Sequence, residues 1–210
     1  MQHHVRFVAI VLIMVVTGFH AARACTVAPV TGSEALIRVE AINQRLISAT
    51  ILAEVNNARC RAGLRAVAAS GGLAQVAAKH SGWMAGAGQL SHDSTLVGLA
   101  SLRDRLAASG HSRKGGTENI GQVQRYLVDT VPGFRITDAA TCRFATDDGQ
   151  PIPAHSYRSL AHTIVDLWMK SPAHKANILN RKVRSLGSGI AFDGKAPWCG
   201  VFFLTQTFSD

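Results

Sequence analysis

Trp168-Met169-Lys170-Ser171-Pro172-Ala173-His174-Lys175-Ala176-Asn177-Ile178-Leu179 packs the end of one helix, the start of another and a titratable side chain into a single corner. Ser171 followed by Pro172 reads as a helix N-cap with proline at the first helical position, where its missing N–H is not needed. His174 is then the third residue of the new helix, where the positive end of the dipole favours neutral imidazole, the form that ligates a metal or accepts a proton. Upstream, Ala161, Ile164, Val165 and Trp168 share one face of a helix beginning near Ser159, which makes Trp168 a packing residue. Downstream, Leu186 to Phe192 and Trp198 to Phe208 flank a turn at Asp193-Gly194-Lys195 and read as an antiparallel hairpin.

Further from this corner the patterning is again helical. Thr31-Gly32-Ser33-Glu34 has the form of a capping box, and Leu36, Val39, Ile42, Leu46, Ile47, Ile51 and Val55 recur at helical spacing. One long helix is therefore expected to run from there to about Ala58 and to stop by Gly63. A second amphipathic segment, about Leu73 to Ala85, carries His80 on its apolar face, where a hydrogen-bonded core histidine is the expected role. Gly86-Ala87-Gly88 ends it and delivers His92 into a loop, the kind of place where binding groups concentrate. A short helix follows at about Ser101 to Ser109. Thr117-Glu118-Asn119-Ile120-Gly121 then suits a strand entering a cleft, and residues 122–157 are poorly patterned, with short strands expected to flank Asp147-Asp148-Gly149. The whole is an α+β chain with helices on both sides of a small antiparallel sheet.

Composition bounds the possibilities. The 210 residues, 47% hydrophobic and 17% charged, suit one globular domain. Residues 1–24 stand apart, because Phe7 to Val16 is unbroken apolar and Ala22-Arg23-Ala24 fits a signal-peptide cleavage site. Cleavage there implies a secreted or periplasmic chain with no membrane span and Cys25 at its new N-terminus. It would leave 20 Lys and Arg against 13 Asp and Glu, a surplus that favours anionic cell-envelope components without specific nucleic-acid recognition. The basic side chains, among them Arg59, Arg61, Arg65, Arg103, Arg105, Arg113, Lys114, Arg181, Lys182 and Arg184, are scattered along the sequence and read as a solvated surface. Cys25, Cys60, Cys142 and Cys199 allow three disulfide pairings, and none forms a C-x-x-C pair, so zinc-ribbon and thioredoxin-like readings fail on spacing. The expected pairing is Cys25 with Cys60, tying the lead-in to the first long helix, and Cys142 with Cys199, stapling the long segment to the last strand.

Taken in order, Val55-Asn56-Asn57-Ala58-Arg59 with Gly63-Leu64, Ser91-His92, Glu118-Asn119-Ile120, the Trp168 to Leu179 stretch, Leu186-Gly187-Ser188-Gly189 and Thr205-Gln206-Thr207-Phe208 resemble the bacterial branch of the CAP superfamily, also called SCP domains. The resemblance implies a domain over residues 51–210, after a 25–50 lead-in and with an extended segment at about 122–157. It implies an α-β-α sandwich with a cleft gathering His92, Glu118 and His174. In animal and plant members a second Glu stands where this chain has Ser171, so the site is one carboxylate short. Two imidazoles and a carboxylate could hold a divalent metal such as zinc, or bind a small or lipid-like ligand directly. No Ser or Cys of these motifs has an adjacent base, so the expectation leans away from an enzyme and towards an extracytoplasmic binding module. A metal-assisted hydrolase with Glu118 as general base is the alternative.

Overall fold

A computed structural model describes residues 25–111 and 115–210; the expected signal segment, residues 1–24, lies outside the described residues. Five helices, α1 (Gln44–Arg61), α2 (Gly71–Ala87), α3 (Leu102–Ala108), α4 (Tyr157–Lys170) and α5 (Pro172–Ile178), surround a sheet ordered β1 (Ala68–Ala69), β5 (Ser185–Asp193), β6 (Val201–Ser209), β2 (Gly116–Gln124). Its long strands pair antiparallel, and only the two-residue β1 runs parallel to its neighbour. The central strand β6 is buried along its whole length, and its period-2 alternation divides the core. Phe202, Leu204 and Phe208 pack with residues of α1 and α4, whereas Val201 and Phe203 pack with Met84 of α2. This is the expected three-layer arrangement.

Two glycines set the spacing of the α2 layer. A Cβ at Gly187 would collide with the backbone at Ala74, and one at Gly189 with the backbone at Ala78, so β5 lets α2 lie directly on it only because both lack side chains. On the opposite face Trp168 is 1% exposed, and its Nε1 donates to the Ile120 carbonyl at 3.0 Å, so it packs in the core as its helix spacing implied.

The N-terminal expectation needs correction. α1 starts at Gln44, where the Asn43 side chain accepts from Leu46 N, and not near Ser33. The Thr31 to Ile37 segment forms turns because its main chain bonds elsewhere: the Ser33 and Ala35 carbonyls accept from Arg158 and Tyr157, and Ile37 donates to His155. Leu36, counted into the apolar stripe, is 61% exposed. The extended segment holds a second, two-stranded sheet, β3 (Phe134–Asp138) and β4 (Arg143–Thr146). Its connection lies at residues 139–142, with Cys142 at φ +55°, and the Asp147-Asp148-Gly149 turn joins β4 to residues 150–152, which pair back on it through the single antiparallel bridge of Ala145 and Pro151.

Both expected disulfides form, Cys25–Cys60 and Cys142–Cys199. The second ties the β3–β4 sheet to the β5–β6 connection. Closing loops with separations of 35 and 57 residues contributes about 3 to 5 kcal/mol each in the chain-entropy account.

Candidate functional site

Glu118 is the site's fixed point. It lies on β2, opposite Thr207 of β6, and its side chain is 1% exposed. A carboxylate buried that far needs partners that satisfy both oxygens. Arg105, fully buried on α3, supplies them: Nη2 donates to Oε1 at 2.7 Å and Nε to Oε2 at 3.0 Å. Such a bidentate fork is the strongest geometry available to this pair. The remaining Arg105 donors reach the carbonyls of His92, Leu99 and Ala100. One guanidinium therefore anchors the whole 88–101 loop to the edge of the sheet. Burial alone pushes the Glu118 carboxyl up, but hydrogen bonds from His92 and Arg105 and the Arg105 charge outweigh it and hold it below the ordinary carboxylate range.

Arg105, and Arg59 with it, correct the reading of the scattered cations as a solvated surface, since both are buried; for Arg105 a signal existed. It stands three residues after Leu102 and directly before Leu106, on the inward side of a short helix, where a cation requires a buried partner.

His92 projects from the anchored loop with its side chain 54% exposed, and its Nδ1 lies 3.1 Å from Glu118 Oε1. An ionised carboxylate only accepts, so Nδ1 carries the proton of this bond, and in the neutral form of the ring Nε2 is the unprotonated nitrogen. Behind it, buried His80 has Nε2 2.9 Å from the Ser91 carbonyl, and its ring stacks on Trp83. His80 is thus the hydrogen-bonded core histidine expected, and it braces the residue before His92. Burial, followed by the Arg105 charge, lowers its pKa and keeps it neutral.

α5 covers the open edge of β2. Asn177 donates to the Glu118 carbonyl and to Asn119 Oδ1, while Asn119 donates to the His174 carbonyl and to Gln206. This amide ladder, with Pro172 at the first helical turn, sets His174 as the third residue of α5. His174 has a lowered pKa caused first by burial and then by the nearby His92. The expected direction therefore holds, with desolvation as its main cause. Ser171 occupies the N-cap position, but its hydroxyl makes no capping hydrogen bond and none to His92, Glu118 or His174.

Alternation along β2 explains why the cleft wraps an edge. Glu118 turns towards α3, Asn119 towards α5, and the histidines approach from the loop on one side and the helix on the other. A cavity of about 730 Å³ lies elsewhere, between α2 and the β5–β6 connection beside Phe192 and Lys195.

The profile of the Cysteine-rich secretory protein family, CAP, matches residues 52–208. The chain belongs to the CAP family. Among solved structures, this CAP domain is similar to an extracellular SCP-domain protein from Bacillus anthracis, at 24% identity and a TM-score of 0.51, covering 78% of this chain and 40% of that one. It is also similar to an outer surface protein of Borrelia burgdorferi, at 12% identity and a TM-score of 0.50, covering 80% of this chain and 96% of that one. At these identities the likeness establishes the fold. The chain thus spans well under half of the Bacillus protein. A search of curated protein sequences returns no significant match.

The donor set of this CAP domain does not fit a three-group metal centre. Imidazole suits zinc, but both Glu118 oxygens are taken by Arg105, with Oε1 shared by His92 and Thr207 Oγ1 3.5 Å from Oε2. Among the described residues no three His, Cys, Asp or Glu side chains come together to hold an ion. Of the expected set, Glu118 holds His92 by a hydrogen bond, while His174 is placed by α5 near enough to His92 to feel its charge.

Proposed function

We propose that this CAP domain is an extracytoplasmic binding module whose cleft receives a small ligand through hydrogen bonds to His92 and His174. The observation that carries this reading is the complete engagement of Glu118 by Arg105 and His92. A general base needs a carboxylate with a free lone pair and a pKa near the working pH. Glu118 has neither, since its partners lower its pKa and occupy its oxygens. What it does well is fix a ring: it holds the His92 proton on Nδ1 and leaves Nε2 as an acceptor facing outward. A ligand donating O–H or N–H to that nitrogen, with neutral His174 beside it, matches the residues present.

The two disulfides support a place outside the cytoplasm. They suit an oxidising compartment, and no helix among the described residues is long and apolar enough to cross a membrane. We propose that the protein works outside the cytoplasm, secreted or periplasmic, after cleavage before Cys25; the intact mass of the exported protein tests this.

Native mass spectrometry of protein exported from its own host tests the binding reading. The parent should retain a ligand mass that the His92→Ala/His174→Ala variant loses. Retention unchanged in that variant would move the site elsewhere. Metal-dependent hydrolysis lost in Glu118→Gln would replace the reading with a hydrolase.

A further inference from the structure

Four arginines from two distant segments, Arg59 with Arg65 and Arg181 with Arg184, converge at the opposite end of α5 from His174. Arg59, Arg65, Arg181 and Arg184, with Gly63 and Leu64, line a cavity of about 210 Å³. We propose that this cavity is a binding site for a phosphate-type oxyanion, as inorganic phosphate or as a phosphomonoester headgroup.

The argument starts from Arg59, which is 1% exposed and whose neighbourhood is strongly one-sided in charge. Its Nε donates to the Arg65 carbonyl, and its Nη1 to the carbonyls of Ile178 and Asn180, so α1 holds the chain beyond α5 in place. Nη2 has no hydrogen bond to a described residue. Arg184 likewise spends only Nη1, on the carbonyls of Arg181 and Val183. Among the described residues no carboxylate lies within ion-pairing distance of any of the four. Burial, then the charges of Arg184 and Arg65, lower the Arg59 pKa, so the neighbouring cations add to the cost of burying it.

Like charges gathered around a cavity destabilise the fold unless something else recovers the energy. A tetrahedral oxyanion does so here, because guanidinium forks match phosphate oxygens and the fold has already fixed Arg59. The space is adequate: at about 30 Å³ per water, 210 Å³ accommodates such an ion with several waters. The main-chain amides of Gly63 and Leu64 are already bonded to Cys60 and Arg59 carbonyls, so recognition rests on the side chains.

The test titrates the full chain with inorganic phosphate against chloride at matched ionic strength, by calorimetry and by thermal melting. Arg65, Arg181 and Arg184 are exposed, so Arg65→Gln, Arg181→Gln and Arg184→Gln should fold like the parent. The parent should bind phosphate saturably and melt higher with it. Arg65→Gln and Arg184→Gln should each weaken binding at least tenfold and lose the melting shift. Co-sedimentation with phosphatidylcholine vesicles, with and without phosphatidic acid, distinguishes the two sources. Capture by phosphatidic acid that phosphate competes away assigns a headgroup, and phosphate binding without capture assigns the free ion. No saturable phosphate binding by the parent, or equal binding by the parent and both variants, overturns the proposal.

Discussion

Removing the Arg105 guanidinium perturbs the site at its mechanical centre, and Arg105→Met is the cleanest way to do it because it keeps the aliphatic stem. The change strands the buried Glu118 carboxylate and frees the carbonyls of His92, Leu99 and Ala100. Breaking a buried ion pair from one side costs about 3 to 5 kcal/mol. For a domain of this size that is a fall of about 6 to 20 °C in melting temperature, at about 2 to 4 °C per kcal/mol. Glu118→Gln alone leaves a buried cation and should cost a similar amount. The double variant, with neither charge, should be more stable than the sum of the single effects by about 1 to 3 kcal/mol. The pH dependence has a definite sign. In the parent, the depressed Glu118 pKa contributes stability that is present above the unfolded carboxylate range and lost as pH falls through the folded value. In Arg105→Met, burial acts with less opposition and raises that pKa. Protonation then relieves the defect, so the gap between parent and variant should narrow on acidification. Urea denaturation of the four proteins between pH 4.5 and 8 measures both effects. Additivity within about 0.5 kcal/mol would show that Arg105 and Glu118 do not act as a unit.

Three further outcomes are expected. His155, 1% exposed, has its pKa lowered by burial from 6.5 to about 4, so the unfolded state takes up its proton first as pH falls. Its contribution is present in full above about pH 6.5 and is lost on descending to about pH 4, roughly 3 kcal/mol that a His155→Gln variant should not show in its denaturation profile. Trp168→Ala should lower stability by about 3 to 5 kcal/mol, and a melting curve matching the parent's would move Trp168 out of the core. Reduction with separate replacement of each cysteine pair by serine should cost about 3 to 5 kcal/mol per bridge; non-reducing peptide mapping that joins Cys25 to Cys142 would contradict the pairing.

Elements whose local patterns agreed with their tertiary surroundings were legible in the sequence. The α4–α5 corner is one, since Ser171-Pro172 and the Trp168 stripe say the same thing as the fold. The terminal hairpin and α2, ended by Gly88 in the left-handed region, are others. Where the reading failed, distant partners overrode a local signal. The Thr31-Gly32-Ser33-Glu34 pattern would start a helix in isolation, yet the Ser33 carbonyl and that of Ala35 just after it accept from the first residues of α4, and Asn43 caps instead. In the candidate site, the histidines and Glu118 were found because they lie in motifs. Arg105 was missed because an arginine in a seven-residue helix reads as solvated until a buried carboxylate is known to face it. The same holds for Arg59 and Arg184, scattered along the sequence and adjacent in space.

The proposed binding role requires that Arg105 and Glu118 set the tautomer of His92 and so leave Nε2 as the proton acceptor in the cleft. Two-bond ¹H–¹⁵N correlation spectra of the ¹⁵N-histidine-labelled full chain at pH 7.5 read this directly. The neutral form of His92 should carry its proton on Nδ1, and that preference should be lost in Glu118→Gln. A His92 protonated on Nε2 in the parent, or a tautomer unchanged in Glu118→Gln, would contradict it.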